Sequence, residues 1–274
     1  MKKGKKLYEG KAKIIYAATE KGIMVVNCAG LLSEEVSNHT IMLLLACAKQ
    51  LTILDQLTRQ GIWSQKLSFS FPPIYGQTLG IIALGNIGRA TARKAKIFGL
   101  NIIAYDPYLP PWIAKDYGVE LVPTLQSLAS RSDFVSLNTP LNRETKNLIG
   151  SSFFKSMKNS AYFINTARGD TVNEQDLIQA LKNAEIAGAG LDVFENEPTP
   201  TSNPLLKMEN VIVTPHTAGG SVNSIPHALE RVGEETSRIL SGKLPMSLVN
   251  PEVIKNIRVH EKNQSRNADV QKPY

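Results

Sequence analysis

TLGIIALGNIGRATARKAKIFGLNIIAYD, residues 78–106, reads as a strand, a tight glycine turn, a helix, a second strand and a closing carboxylate. Leu79 to Leu84 is apolar apart from Gly80, as a parallel strand buried on both faces requires. Gly85 lets the backbone approach a pyrophosphate closely, and Gly88 lets the helix pack on the strand. Over Asn86–Phe98 the apolar residues Ile87, Ala90, Ala95 and Ile97 recur at helical spacing, and the N–H groups of the first turn are free to meet an anion. Asp106 ends the next strand, where a carboxylate can accept both hydroxyls of a ribose. The three-glycine fingerprint would put a glycine at 83, where the chain has Ala83. A ligand-free turn in a parallel sheet shares some of these features, but strand, helix and acid stand in the order a dinucleotide needs. Pro107 and Tyr108 follow Asp106, so no cation compensates a 2′-phosphate, and NAD is expected over NADP.

Outward from this unit the alternation continues. Upstream, Ile23–Asn27 reads as a short buried strand, and Ser33–Gln60 as one long helix or two abutting ones. Ser33 is the expected N-cap, and Val36, Thr40, Leu43, Leu44, Cys47 and Leu51 form an apolar stripe. His39 lies on that helix and reads as a satisfied or solvated side chain, not a ligand. Downstream, Pro107–Pro111 reads as a turn, Val119–Val122 as a strand, and Thr124 as the cap of a helix through Ala129. Strands follow at Phe134, Ala161–Asn165, Gly188–Leu191 and Val211–Val213. Helices are expected at Ser151–Met157, at Asn173–Asn183 with Asn173 as cap, and at Pro226–Leu240. Strands and helices alternating at this length predict an α/β fold, a doubly wound parallel sheet.

Composition narrows the function. With 42% hydrophobic and 20% charged residues, the 274-residue chain is of ordinary globular type. The net charge of +7 is concentrated at the ends: residues 1–13 carry six lysines against Glu9, and residues 255–274 carry five cations against two acids. Residues 14–254 hold 20 basic against 21 acidic residues, which gives no support to a nucleic-acid groove in the fold. Cys28 and Cys47 sit in apolar contexts and read as small buried hydrophobes in a reducing cytoplasm. They assemble no metal site with the four scattered histidines, of which His227 and His260 read as solvated. The apolar run Ile41–Ala48 is too short to span a bilayer, so no membrane partner is expected.

Ligands of a doubly wound sheet bind beyond the carboxyl ends of its strands. The polar residues there are Asp106, Thr139, Thr166 with Arg168, Asp192, Glu197 and His216. Taken singly they also suit a surface arginine, an acidic loop and a histidine approaching a helix. Together, NTPLNRETKNLIG (138–150), NTARGDTVNEQDL (165–177), AGAGLDVFENEP (187–198) and NVIVTPHTAGG (210–220), with the glycine turn, resemble the NAD-dependent D-isomer-specific 2-hydroxyacid dehydrogenases, the family that includes 3-phosphoglycerate dehydrogenase. The resemblance runs from about Ala18 to Val253, with the motifs in the family's order and spacing.

That resemblance implies a Rossmann-type NAD-binding domain, hydride transfer between NAD(H) and a small 2-hydroxy or 2-oxo acid, and a homodimer. Arg168 matches the arginine that grips the substrate carboxylate. His216 matches the acid/base at the carbonyl oxygen, and Glu197 the carboxylate paired with it. Gly85, Asn86, Ile87, Asp106, Thr139, Pro140, Thr166, Ala167, Asp192, His216, Ala218 and Gly219 match cofactor contacts. In the family a flavodoxin-like substrate domain precedes this region. Here KKLYEGKAKIIY (5–16) stands instead, resembling the opening of phosphoribosylaminoimidazole-succinocarboxamide synthase. The expected division is residues 1–30 as leader and substrate-domain remnant, 31–241 as NAD-binding domain, and 242–274 as a returning segment and a disordered polar tail. The alternative function is an NAD-binding regulatory or inactive module.

Overall fold

The computed structural model describes residues 15–19, 22–63 and 71–256, which fall into two units. One is formed by the chain's two ends, up to Leu31 and from Ser221; the other is Leu32–Gly220. In the first, β1 (Ile15–Thr19) and β2 (Gly22–Val26) form an antiparallel hairpin. Residues 247–250 return along β2: Val26 bridges Leu248, Val249 N donates to Val25 O at 2.8 Å, and Val25 N donates to Asn250 Oδ1 at 2.8 Å. The returning segment is thus a backbone pairing of the two chain ends. The helix Ser224–Leu240 belongs to the same unit, so the division falls at Ser221 and not at the expected 242. β1 lies within the stretch read as leader, where five residues without a flanking turn signal carry little pattern. The remaining leader residues 1–14, His260 and the polar tail lie outside the described residues.

Leu32–Gly220 opens with α1 (Ser33–Ala48) and α2 (Leu51–Arg59). Then come β3 (Thr78–Ile82), α3 (Asn86–Ile97), β4 (Asn101–Tyr105), α4 (Pro111–Asp116), β5 (Glu120–Leu121), α5 (Leu125–Arg131) and β6 (Phe134–Leu137). α6 (Ser151–Ser156), β7 (Tyr162–Asn165), α7 (Glu174–Lys182), β8 (Gly188–Leu191) and β9 (Val211–Val213) complete it. All seven strands are parallel, in the order β5-β4-β3-β6-β7-β8-β9. The order reverses between β3 and β6, which makes that gap the switch point where a doubly wound sheet binds ligands.

Strand side chains alternate between two apolar layers, as a period of two demands. Leu79, Ile81, Ile102, Phe134 and Ile164 pack with α1 and α3; Ile82, Ile103, Val135, Leu137 and Phe163 pack with α5, α6 and α7. In the second layer Phe154 meets Phe153 and Phe163 edge-on, centroids 6.1 and 5.4 Å apart, each pair worth about 0.5–1.5 kcal/mol beyond burial. Thr124 and Asn173 cap α5 and α7 as expected, accepting from Ser127 N and Asp176 N at 3.1 Å. A Cβ on Gly88 would collide with the Ala83 carbonyl, so the close helix–strand packing is real.

Four local expectations are corrected. α1 begins one residue early, with Leu32 at the cap position and Ser33 already helical, because Val36 N donates to Leu32 O. Gln50 turns left-handed (φ 49°) and bends α2 away by 59°, so Leu51 leaves the apolar stripe and is 56% exposed. Cys28 is only half-buried, in the turn after β2, whereas Cys47 is buried and its thiol is pushed up to about 12 by desolvation. Pro111 does not end a turn but opens α4 at N1, where its missing N–H costs nothing. Among the described residues no single helix is long and apolar enough to cross a membrane; the bent pair α1–α2 passes by length and composition together. α1, however, buries Val36, Ile41, Leu43 and Leu44 in the core. The unit's entry and exit are neighbours: the Leu32 side chain lies against Gly219, where an added Cβ would stand 3.0 Å from Leu32 Cδ1.

Candidate active site

Parallel register brings the strand ends into one row. Ile82 pairs with Tyr105 and Leu137, Leu137 with Asn165, Asn165 with Leu191, and Leu191 with Val213. Gly85, Asp106, Thr139, Arg168, Asp192 and His216 each follow one of these residues by one to three positions, so all start from the same edge.

On the β3–β4–β6 side the chain prepares a receptor. Ala83 takes the left-handed conformation (φ 68°) that the missing glycine would have supplied, and its N–H donates to Tyr105 O at 2.9 Å. Gly85 then precedes α3 in extended conformation, with no side chain capping the helix. A Cβ on Gly85 would meet nothing within 4 Å, so open space faces the unsatisfied N–H groups of α3. Exposed Asn86 and half-buried Ile87 form the first turn. The Asp106 carboxylate is aimed by two backbone donors, Leu84 N at 2.9 Å and Tyr108 N at 3.1 Å, leaving lone pairs for further donors. At the end of β6 the Thr139 hydroxyl and Asn138 Oδ1 are buried without a hydrogen-bond partner, while Pro140 beside them is exposed. Free N–H groups for a pyrophosphate, a carboxylate for a ribose and an unspent hydroxyl fit NAD.

On the β7–β8–β9 side the polar groups are tied to one another. Asn165 turns the chain after β7, its Oδ1 accepting from Ala167 N at 2.9 Å and its Nδ2 donating to Arg168 O at 3.1 Å. Gly169 follows, and a Cβ there would overlap the Phe194 carbonyl and Glu195 N; only glycine lets the Arg168 loop lie against the loop that carries Glu197. His216 is held at φ 55° by its N–H donating to Asp192 O at 2.8 Å. Its Nδ1 is 2.6 Å from Glu197 Oε2, and Glu197 Oε1 accepts from Phe194 N at 3.1 Å. An ionised carboxylate only accepts, so Nδ1–H donates and Nε2 is turned to the other side. Both side chains stay reachable, at 20% and 30% exposure.

Asp192 stands at the expected strand end, directly after β8. It is fully buried, and its oxygens accept from the Thr214 hydroxyl at 2.6 Å, Thr217 N at 2.9 Å and Ala218 N at 2.9 Å. The carboxylate stands beneath the His216 loop and shapes it from behind. Thr166, Ala167 and Ala218 are also buried, whereas Gly219 is half-exposed. Thr166 is occupied by Thr40 at 2.8 Å. Sequence reasoning missed Gly169, Thr214, His39 and Thr40, whose roles depend on elements distant in the chain; only the glycine after Arg168 offered a local signal.

Residues 41–218 match the NAD-binding domain of the D-isomer specific 2-hydroxyacid dehydrogenases. The chain belongs to this family. It is 43% identical over 241 residues to a glyoxylate reductase of Korarchaeum cryptofilum, covering 87% of this chain and 72% of that protein. It is 42% identical over 236 residues to a D-3-phosphoglycerate dehydrogenase of Methanocaldococcus jannaschii, covering 86% of this chain and 45% of that one. Among solved structures, D-lactate dehydrogenase with NAD+ from Lactobacillus jensenii superposes with a TM-score of 0.74 at 28% identity, over 82% of this chain and 71% of that one. The chain is therefore an NAD-binding oxidoreductase of the D-2-hydroxyacid dehydrogenase type, and the regulatory alternative is not favoured.

Proposed function

We propose that the chain reduces a small 2-oxo acid with NADH, glyoxylate first among the candidates, working as a homodimer in the cytoplasm. The observation that carries the reading is the Glu197–His216 pair, its Nδ1 anchored at 2.6 Å and its Nε2 left for a substrate, two strands from Arg168. NADH, when bound, supplies the hydride. Arg168 holds the substrate carboxylate with its planar fork and draws the carbonyl toward His216. His216 Nε2 gives a proton to the carbonyl oxygen as that oxygen gains charge, and takes it back in the reverse direction. Glu197 fixes the tautomer and ring orientation and stabilises the charged imidazole. Asp106, beside no cation in sequence, favours NADH over NADPH. The glyoxylate reductase named above supports the choice of glyoxylate.

Exposed Met42, Leu51 and Trp63 along the α1–α2 segment support a dimer, and two cysteines outside any disulfide support a reducing compartment. Steady-state assay with NADH and a panel of 2-oxo acids tests the reaction: we expect turnover with glyoxylate, and a loss of about 10²–10⁴-fold in kcat for H216A. R168A should raise KM sharply. Absence of turnover with every 2-oxo acid, or of saturable NADH quenching of Trp112, would end this reading. Light scattering checks the dimer, and cell fractionation the compartment.

A further inference from the structure

Two consecutive residues of α1 reach the two loops that carry the reacting side chains. The Asp192 carboxylate only accepts, so the Thr214 hydroxyl donates to it at 2.6 Å, and the Thr214 oxygen is left to accept from His39 Nε2–H at 2.9 Å. His39 Nε2 also lies 3.5 Å from Asp192 Oδ1. One residue on, the Thr40 hydroxyl gives its hydrogen to Val36 O at 2.8 Å, so the Thr166 hydroxyl must donate to Thr40 across 2.8 Å. Thr166 is two residues before Arg168, and Thr214 two before His216.

We propose that His39 and Thr40 are positioning residues: His39 sets the His216 loop through Thr214 and Asp192, and Thr40 sets the Arg168 loop through Thr166. The inference rests on the reaction proposed above. Packing alone does not call for either polar group, because Val36, Ile41, Leu43 and Leu44 already bury α1 against the sheet. What the imidazole and hydroxyl add is direction. Each donor–acceptor sense in the two chains is fixed, so neither loop can turn without leaving a buried polar group unpaired. One rigid helix therefore holds the proton donor and the carboxylate clamp at a constant separation.

The test uses the full chain with NADH and glyoxylate. We expect H39L to lower kcat about ten- to a hundredfold, with KM and the NADH Kd within about twofold, as displacement of a reacting group does. H39Q, whose amide N–H reaches about as far as Nε2–H, should return kcat to within about threefold. T40V should instead raise KM for glyoxylate about fivefold and leave kcat within about twofold, because it acts on the clamp. Equal losses in kcat and KM for H39L and T40V would reduce both residues to packing, and no rescue by glutamine would reduce His39 to packing; either overturns the proposal. Amide exchange at Thr217 and Ala218 is read in parallel: it should quicken in H39L and be restored in H39Q. Unchanged exchange in H39L overturns the proposal whatever the kinetics. Should the parent chain show no turnover, exchange alone decides the positioning, and the reaction reading fails separately.

Discussion

At the β3–β4–β6 end of the strand row, a helix start and a hydroxyl are left unspent; at the β7–β8–β9 end, the chain has already claimed its polar groups. Gly85 looks onto open space and the Thr139 hydroxyl has no partner, whereas the Asp192 oxygens hold three donors and His216 is held at both its backbone N–H and Nδ1. The first end is built to receive a group that brings its own charge and hydroxyls. The second is built to keep geometry before any ligand arrives, which is what catalysis by preorganised dipoles needs. The difference should show in mutants: on one side affinity changes without stability, on the other both change.

The largest effect should come from D192A. It strips the Thr214 hydroxyl and the Thr217 and Ala218 N–H groups of their acceptor, and we expect a loss of about 3–5 kcal/mol in chemical unfolding, with activity gone. Retained activity in a folded D192A would show that the His216 loop orders itself.

Next is a matched glycine pair. G169A forces a methyl into the Phe194 carbonyl and should cost about 1–3 kcal/mol together with most of kcat. G85A, with nothing within 4 Å of its new methyl, should melt as the parent does yet bind NADH about tenfold more weakly by calorimetry, since the methyl faces the anion site. Equal melting losses in the two would erase the contrast.

A smaller change is expected from A83G. Relieving φ 68° in an alanine gains about 1–2 kcal/mol, offset in part by the greater freedom of glycine in the unfolded chain, for a net stabilisation near 0.5 kcal/mol. A drop in melting temperature would mean the methyl packs usefully.

The smallest concerns the tie between the two ends. Glu34 on α1 bonds Arg93 and Lys94 on α3, and these two cations hold its carboxyl below the usual carboxylate range. A lowered folded pKa stabilises above the unfolded value, and that contribution disappears as pH falls through the folded one. E34Q should therefore lose less than about 1 kcal/mol at neutral pH and nothing further in acid, since the pair is largely exposed.

Much of this fold was legible in the sequence. The apolar run at Leu79, the caps Thr124 and Asn173 and the glycines after β3 are local signals, and the elements they predict stand within a residue or two. The gathering of Arg168, Glu197 and His216 at one sheet edge was legible through motif order, because each sits in a short segment of distinctive composition. Other features were hidden because their causes are nonlocal. Nothing near Asp192 announces that Thr214, Thr217 and Ala218 will turn back onto it. The bend at Gln50 and the helix opening at Pro111 show a lesser failure, where one residue's backbone preference decided between two patterns that both fit.

Leu32 touching Gly219 makes the NAD-binding unit a cassette. Chain segments 225 residues apart, Val25 and Asn250, are hydrogen-bonded in the terminal unit, and everything from Leu32 to Gly220 is looped out between them through a doorway whose two jambs meet. Such an arrangement lets one fold be spliced into a loop of another without stretching either. The insert carries the whole seven-stranded sheet, and with it the row of strand ends, between two neighbouring attachment points.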